Sequence, residues 1–315
     1  MEIRRYILLG WCMMLSLANN VAAQDKMPDV AGCDRNSETI YPSKAMQQLM
    51  SFVDVSNPMP TGFHATRENA IYDPTASLDA FFEKLGELDR PIRIVHIGDS
   101  HVRGHIFPYE VRRLLEEDFG AEAVLDMKVD YRTSGIACET GRPGIVYHII
   151  GINGATCATY NTPERIQTIV DLNPDLIISS FGTNEAHSRG YRRSEHLGQM
   201  KALLASIRQR CPSASILLTT PPGAYVRYGR RKIINTRTPL VVEAERTFSE
   251  ENQIALWDMY DIVGGPGYAC KNWTSANMFQ RDKIHFTADG YRLMGSLLHE
   301  AFIKAYNNYV EANIN

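Results

Sequence analysis

The sequence predicts an α/β protein built on a parallel β-sheet with helices covering both faces. Two patterns carry this reading. From Pro91 onward, short runs rich in Val, Ile and Leu alternate with longer amphipathic stretches, the pattern of strands joined by helical crossovers. Several of those runs are apolar throughout, as strands buried on both faces must be. The 315 residues are 44% hydrophobic and 22% charged, which supplies a full core.

The elements follow in order. "SLDAFFEKLGEL" (77–88) spaces Leu78, Phe81, Phe82, Leu85 and Leu88 for one face of a helix, with Ser77 placed to cap it. "IRIVHIG" (92–98) is the first strand, and "IFPYEVRRLLEEDFG" (106–120) a helix ending at Gly120. "GIVYHIIGI" (144–152) is a strand, and "PERIQTIVDLN" (163–173) a helix that opens with proline, whose missing N–H costs nothing there. "DLIISSFG" (175–182) is the third strand, followed by the helix "SEHLGQMKALLASIRQRC" (194–211). "SILLTTPP" (215–222) is a strand, "PLVVEAERTFSEEN" (239–252) a helix and "IALWD" (254–258) a short strand. "DGYRLMGSLLHEAFIKAYNNYV" (289–310) is a long closing helix.

The first 23 residues read differently. "MEIRR" is a short basic start, "YILLGWCMMLSLA" an apolar run, and "VAA" sets small residues before Gln24. This is the pattern of a secretory signal cut after Ala23, and the apolar run is short for a membrane span. The expected location is therefore periplasmic or secreted, and no later segment is apolar enough for stable membrane insertion. Residues 24–75, rich in Asp, Asn, Ser, Pro and Thr, form an irregular lead segment packed on or tethered to the main domain, 76–315. The formal net charge of −3 argues against a nucleic-acid partner. After the signal the cysteines are Cys33, Cys138, Cys157, Cys211 and Cys270, an odd and irregular set that is neither a disulfide framework nor a zinc pattern. One bridge and isolated buried thiols both stay open.

Open parallel sheets bind ligands beyond the carboxyl ends of their strands, and unusual residues gather at those positions. Ser100 follows the first strand, "GINGAT" (151–156) the second, and "FGTNEA" (181–186) the third. "DKIH" (282–285) precedes the last helix. These residue types suit nucleophilic acyl transfer. A serine hydroxyl needs a base to take its proton. His285 can serve, with Asp282 three residues earlier to orient it. An oxyanion needs fixed donors, which the Ser100 and Gly154 backbone N–H groups and the Asn184 side-chain amide could supply. A second cluster, "YVRYGRRK" (225–232) with "RGYRR" (189–193), offers rings and cations. Tyr225, Arg227 and Tyr228 are read there as glycan contacts, against the alternative of a solvated basic loop. His101 is read as a turn or pocket-wall residue on the substrate side.

"GDSH", the glycine of "GINGA", "GTNE" and "DKIH" stand in the order of the four sequence blocks of the SGNH (GDSL-like) hydrolases, and residues 91–312 resemble that family. The resemblance implies a flavodoxin-like three-layer sandwich with a parallel five-stranded sheet of order 2-1-3-4-5. It implies Ser100 as nucleophile, Asp282 and His285 as its partners, and Ser100, Gly154 and Asn184 as the oxyanion hole. It implies no cofactor, and because the histidines and acids show no metal-ligand spacing, no metal is expected. Two departures stand out: His101 follows "GDS" where the family usually has leucine, and Glu185 follows Asn184 where it usually has aspartate. "GDSH" with "GTNEA" looks like the bacterial envelope branch that includes O-acetylpeptidoglycan esterases. Some of those carry an inserted carbohydrate-binding module, for which the 53 residues between Ser100 and Gly154 leave no space.

The expected function is a secreted serine esterase that removes O-acyl groups, chiefly O-acetyl, from a cell-wall or dietary polysaccharide such as peptidoglycan. The alternatives are an O-acetyltransferase using the same triad and a non-catalytic glycan-binding protein on a hydrolase fold. The intact Ser100, Asp282 and His285 argue against the last.

Overall fold

The computed structural model of the chain describes residues 52–125 and 135–314. The expected signal, Cys33 and the first part of the lead segment lie outside these residues.

A six-stranded sheet forms the middle layer. In chain order its strands are β1 (Ile71–Tyr72), β2 (Pro91–Gly98), β3 (Gly144–Gly151), β4 (Leu176–Ser180), β5 (Ser215–Thr219) and, after a separate hairpin of β6 (Tyr225–Tyr228) and β7 (Arg231–Ile234), β8 (Ala255–Trp257). Across the sheet they lie β1-β8-β5-β4-β2-β3. The five strands from β3 to β8 are parallel, and in chain order they run 2-1-3-4-5 across the sheet. The short β1 adds an antiparallel edge, pairing Ile71 with Trp257 and Tyr72 with Leu256.

The helices are α1 (Asp79–Glu87), α2 (Ser100–Arg103), α3 (Ile106–Phe119), α4 (Cys157–Tyr160), α5 (Pro163–Asp171), α6 (Thr183–His187), α7 (Arg193–Arg210), α8 (Thr238–Asn252), α9 (Met259–Ile262), α10 (Gly265–Ser275) and α11 (Ala288–Ile314). Side-chain alternation along the strands sorts the core into two layers. Ile92 and Ile94 of β2, Leu176 and Ile178 of β4, and Tyr147 of β3 pack on one face with Phe107 and Leu115 of α3 and Leu297 and Phe302 of α11. Val95 and Ile97 of β2 and Ile177 of β4 pack on the other with Ile166 and Ile169 of α5 and Leu203 and Ile207 of α7. Each such side chain contributes roughly 1.5–3 kcal/mol by leaving water. Both faces are thus covered, which is why the strands read as continuous apolar runs.

The lead segment joins this body. Buried Asn69 accepts from the Trp257 indole N–H at 2.9 Å and donates to the Leu297 carbonyl and Glu300, both at 2.7 Å. The segment "YVRYGRRK" is a β-hairpin with a two-residue turn at Gly229 and Arg230. The helix α10 also escapes the sequence pattern: its glycines and proline mask an element that buries Ala269, Cys270 and Trp273.

What matters for function is the register. Gly98 pairs with Gly151 on one side and Ser180 on the other; Ser180 pairs with Thr219, and Thr219 with Trp257. The carboxyl ends of all five parallel strands therefore stop level. Everything that follows them is delivered to one edge of the sheet.

Candidate active site

The chain leaves β2 through a close approach that admits only glycine. A Cβ on Gly98 would lie 2.5 Å from both the Ser180 carbonyl oxygen and Val102 Cγ2. The next residue, Asp99, is the N-cap of α2, and its Oδ1 accepts the His101 N–H at 2.9 Å. Ser100 thereby becomes the first residue of a one-turn helix, held at the tip of the strand. Burial pushes the Asp99 carboxyl up to about 8, against the hydrogen bond from His101.

The structure brings Ser100, His285 and Asp282 together. Ser100 Oγ lies 2.9 Å from His285 Nε2, and His285 Nδ1 lies 2.7 Å from Asp282 Oδ2. Asp282 Oδ1 accepts the backbone N–H groups of Ile284 and His285, each at 2.9 Å. Burial raises the Asp282 pKa, but the hydrogen bond from His285 and those two backbone donors outweigh it and leave the carboxyl below its ordinary value. An ionised carboxylate only accepts, so Nδ1 must carry the imidazole proton and Nε2 is left with a lone pair toward Ser100.

The loop holding this pair is closed on itself. The Gln280 N–H donates to the His285 carbonyl at 2.8 Å and the Lys283 N–H to the Gln280 carbonyl at 3.0 Å. Lys283 sits in the left-handed region, φ +62°, a conformation that costs a non-glycine residue energy and is tolerated where the surroundings impose it. The hairpin imposes it: the Tyr225 N–H donates to the Lys283 carbonyl at 2.9 Å.

The two remaining blocks meet beside Ser100. Gly154 turns at φ +74° with open space where a side chain would stand, so substrate can approach its backbone. The Asn184 side-chain nitrogen donates to the Ala155 carbonyl at 2.9 Å and to Asp99 Oδ2 at 3.3 Å. Asn184 thus ties together the loops after β2, β3 and β4. Glu185 makes a second tie: its Oε1 accepts the Cys157 N–H and its Oε2 the Gly182 N–H, both at 3.0 Å.

The other expected contacts are placed differently. His101 is buried beneath the Ser100–His285 pair, with Nδ1 3.0 Å from the Tyr291 hydroxyl and its ring 5.6 Å from that of His285. Tyr225 is half-buried at the hairpin base, its hydroxyl 3.0 Å from Thr274 Oγ1. Arg227 and Tyr228 are exposed farther along the hairpin.

A cleft of about 440 Å³ opens over Ser100 and His285, lined also by Arg103, Asn153, Gln280 and Tyr291, a volume in the range of small-ligand sites. The sequence reading placed Asn153 at this edge within "GINGAT" but passed over Arg103, Gln280 and Tyr291, although each lies within six residues of a motif block. Behind the Asn184 loop, Cys157, Glu185 and His196 bring three potential metal-ligand atoms within 4.8 Å of one another. Their wide sequence spacing hid this group. Both Glu185 oxygens already accept backbone hydrogens, and the buried Cys157 thiol is held well above its ordinary pKa, by burial first and then by nearby Glu185 and Glu245.

A family model described as the GDSL-like Lipase/Acylhydrolase family matches residues 97–293. Among solved structures, a peptidoglycan O-acetylesterase is similar with a TM-score of 0.64 at 18% identity, over 76% of this chain and 99% of that one. An acetyl xylan esterase follows at a TM-score of 0.47 and 17% identity, over 66% and 98% of the two chains. A GDSL-like lipase from Bacteroides thetaiotaomicron gives 0.43 and 15%, over 68% and 88%. No curated protein sequence matches the chain.

Proposed function

The chain belongs to the GDSL-like lipase/acylhydrolase family, and from that premise we propose that it is a secreted serine esterase that removes O-acetyl groups from a polysaccharide. The observation that carries the proposal is the unbroken line from Ser100 Oγ through His285 to Asp282, at 2.9 and 2.7 Å, opening on the cleft.

The reaction follows from that line. As Ser100 Oγ attacks the ester carbonyl, His285 Nε2 takes its proton and Asp282 stabilises the resulting imidazolium. The carbonyl oxygen gathers charge beside the Ser100 and Gly154 N–H groups and the Asn184 amide. Collapse expels the sugar oxygen, which receives the proton from His285. A water molecule, activated by the same nitrogen, then releases acetate and restores Ser100. The cleft opens to solvent, which favours hydrolysis over transfer to a second sugar. The likeness to a peptidoglycan O-acetylesterase supports this architecture at the level of fold.

Export is supported by the leader-like first 23 residues. No helix among the described residues is long and apolar enough to cross a membrane. Acetate release from O-acetylated peptidoglycan, acetylated xylan and a nitrophenyl acetate tests the function, together with fluorophosphonate labelling of Ser100. Release from none of them, with Ser100 unlabelled, would sink the reading.

A further inference from the structure

The β6–β7 hairpin gathers cations that the fold leaves unneutralised. Arg227, Arg230, Arg231 and Lys232 lie along it, all exposed. The adjoining loop adds Arg281 and Lys283, one on each side of Asp282. None of these six forms an ion pair among the described residues. Asp282 is the one carboxylate within 225–234 or 280–285, and it is bonded to His285. Two arginines elsewhere show the contrast: Arg113 pairs with Glu110 and Glu117, and Arg246 with Asp258 and Asp261. A protein of net charge −3 has acids to spare for this face, and like charges held close repel.

The patch is also fastened to the catalytic loop. The Tyr225 N–H donates to the Lys283 carbonyl at 2.9 Å, and the Lys232 ammonium donates to the Arg281 carbonyl. The Lys283 ammonium lies 5.6 Å from the Phe279 ring centre and 6.0 Å from that of Tyr225. Gln280 and His285, from the same loop, line the cleft. The cationic face is therefore continuous with the cleft rim. It carries an exposed ring as well: Tyr228, 75% exposed, pairs across the hairpin with Arg231. Guanidinium groups match carboxylates in geometry, and a ring beside them gives a sugar face something to stack on.

We infer that this hairpin face holds the carboxylates of an acidic glycan strand while the strand's ester enters the cleft. The inference rests on the esterase reading above and narrows its substrate to polyanionic, O-acylated polysaccharide as opposed to neutral polymer. The carboxylates of uronic acid units and those of peptidoglycan share this chemistry.

The test compares the native full-length enzyme with Arg230→Glu/Arg231→Glu. Acetate release is measured from O-acetylated polygalacturonate, O-acetylated peptidoglycan and neutral acetylated xylan, at low and high salt. The expected result is that the double variant lowers kcat/KM on an acidic polymer by roughly tenfold more than on xylan. Salt should weaken the native enzyme's preference in the same direction. Which acidic polymer shows the effect identifies the source of the carboxylates. Equal losses on acidic and neutral polymers would overturn the inference, and so would stronger binding to anionic phospholipid vesicles than to any polymer. Binding to deacetylated polygalacturonate reads the face without turnover. Salt-sensitive binding that the variant loses supports the inference even if no ester is cleaved, an outcome that would remove the esterase reading alone.

Discussion

The Asn184 side-chain nitrogen donates to the Ala155 carbonyl at 2.9 Å, so the loop after β4 is bonded directly to the loop after β3. Its second hydrogen reaches Asp99 Oδ2 at the longer distance of 3.3 Å. The short bond fixes the amide, and in the mechanism proposed above the long one is the hydrogen offered to the oxyanion at Ser100. Asn184→Ala should therefore lower kcat by about 10²–10³, roughly 3–4 kcal/mol, with little change in KM. The thermal midpoint should fall too, because two loops lose their tie. Normal kcat in the folded fraction would restrict Asn184 to holding loops.

Ser100→Ala and His285→Ala should each nearly abolish turnover while the protein stays folded. Both residues stand at the rim of the cleft, outside the two apolar layers. Such losses run to several orders of magnitude and do not add in the double variant. Asp282→Asn should cost less, since Asp282 acts on the reaction only through His285. Steady-state kinetics on a nitrophenyl acetate decide it, and a His285→Ala enzyme that keeps most of its kcat would refute the assignment.

Much of this was legible because strands and motifs announce themselves locally. "IRIVHIGDSH" shows in ten letters an apolar strand, its abrupt stop at glycine and a serine beyond it. The pairing of Ser100 with His285, 185 residues apart, was inferred from residue chemistry and from where parallel strands end. What stayed hidden depends on tertiary contact. Ile71–Tyr72 is a strand only because Trp257 and Leu256 offer it an edge. "YVRYGRRK" has no apolar face to betray a hairpin, since its support comes from the backbone of Lys283. The burial of His101 is set by Tyr291 and Phe286, distant in sequence.

Glu185 supplies a test of loop positioning. One carboxylate accepts from Cys157 and from Gly182, and so spans the loops carrying Gly154 and Asn184. Glu185→Gln keeps the size but turns one acceptor into a donor facing a backbone N–H, leaving a buried donor unpaired at a cost of about 1–3 kcal/mol. The expected outcome is a lower thermal midpoint together with a fall in kcat that exceeds any change in KM, because the proposed mechanism has the displaced groups act on the transition state. A stability loss with normal kcat would make Glu185 a brace of the fold alone.

His101 gives the last prediction, in pH. Burial holds its pKa down to about 3, with the charges of His285 and His187 adding to the effect and Asp282 opposing it. Its value in the unfolded chain is about 6.5. A group whose folded pKa is depressed contributes stability that is complete above the unfolded value and is lost as pH falls toward the folded one. The window for His101 therefore runs from about pH 6.5 down to about 3. At pH 5 the loss amounts to roughly 2 kcal/mol, since the unfolded chain binds a proton that the folded one refuses. His101→Asn leaves a side chain that can still meet the Tyr291 hydroxyl but cannot titrate. Other buried groups, Asp99 and Glu185 among them, titrate in both proteins and cancel in the comparison. Denaturant unfolding at pH 7 and pH 5 should thus show the native protein losing about 2 kcal/mol more than the variant over that interval. A stability difference that does not change with pH would mean that His101 takes up its proton in the fold as readily as in the unfolded chain, and that burial does not keep it neutral.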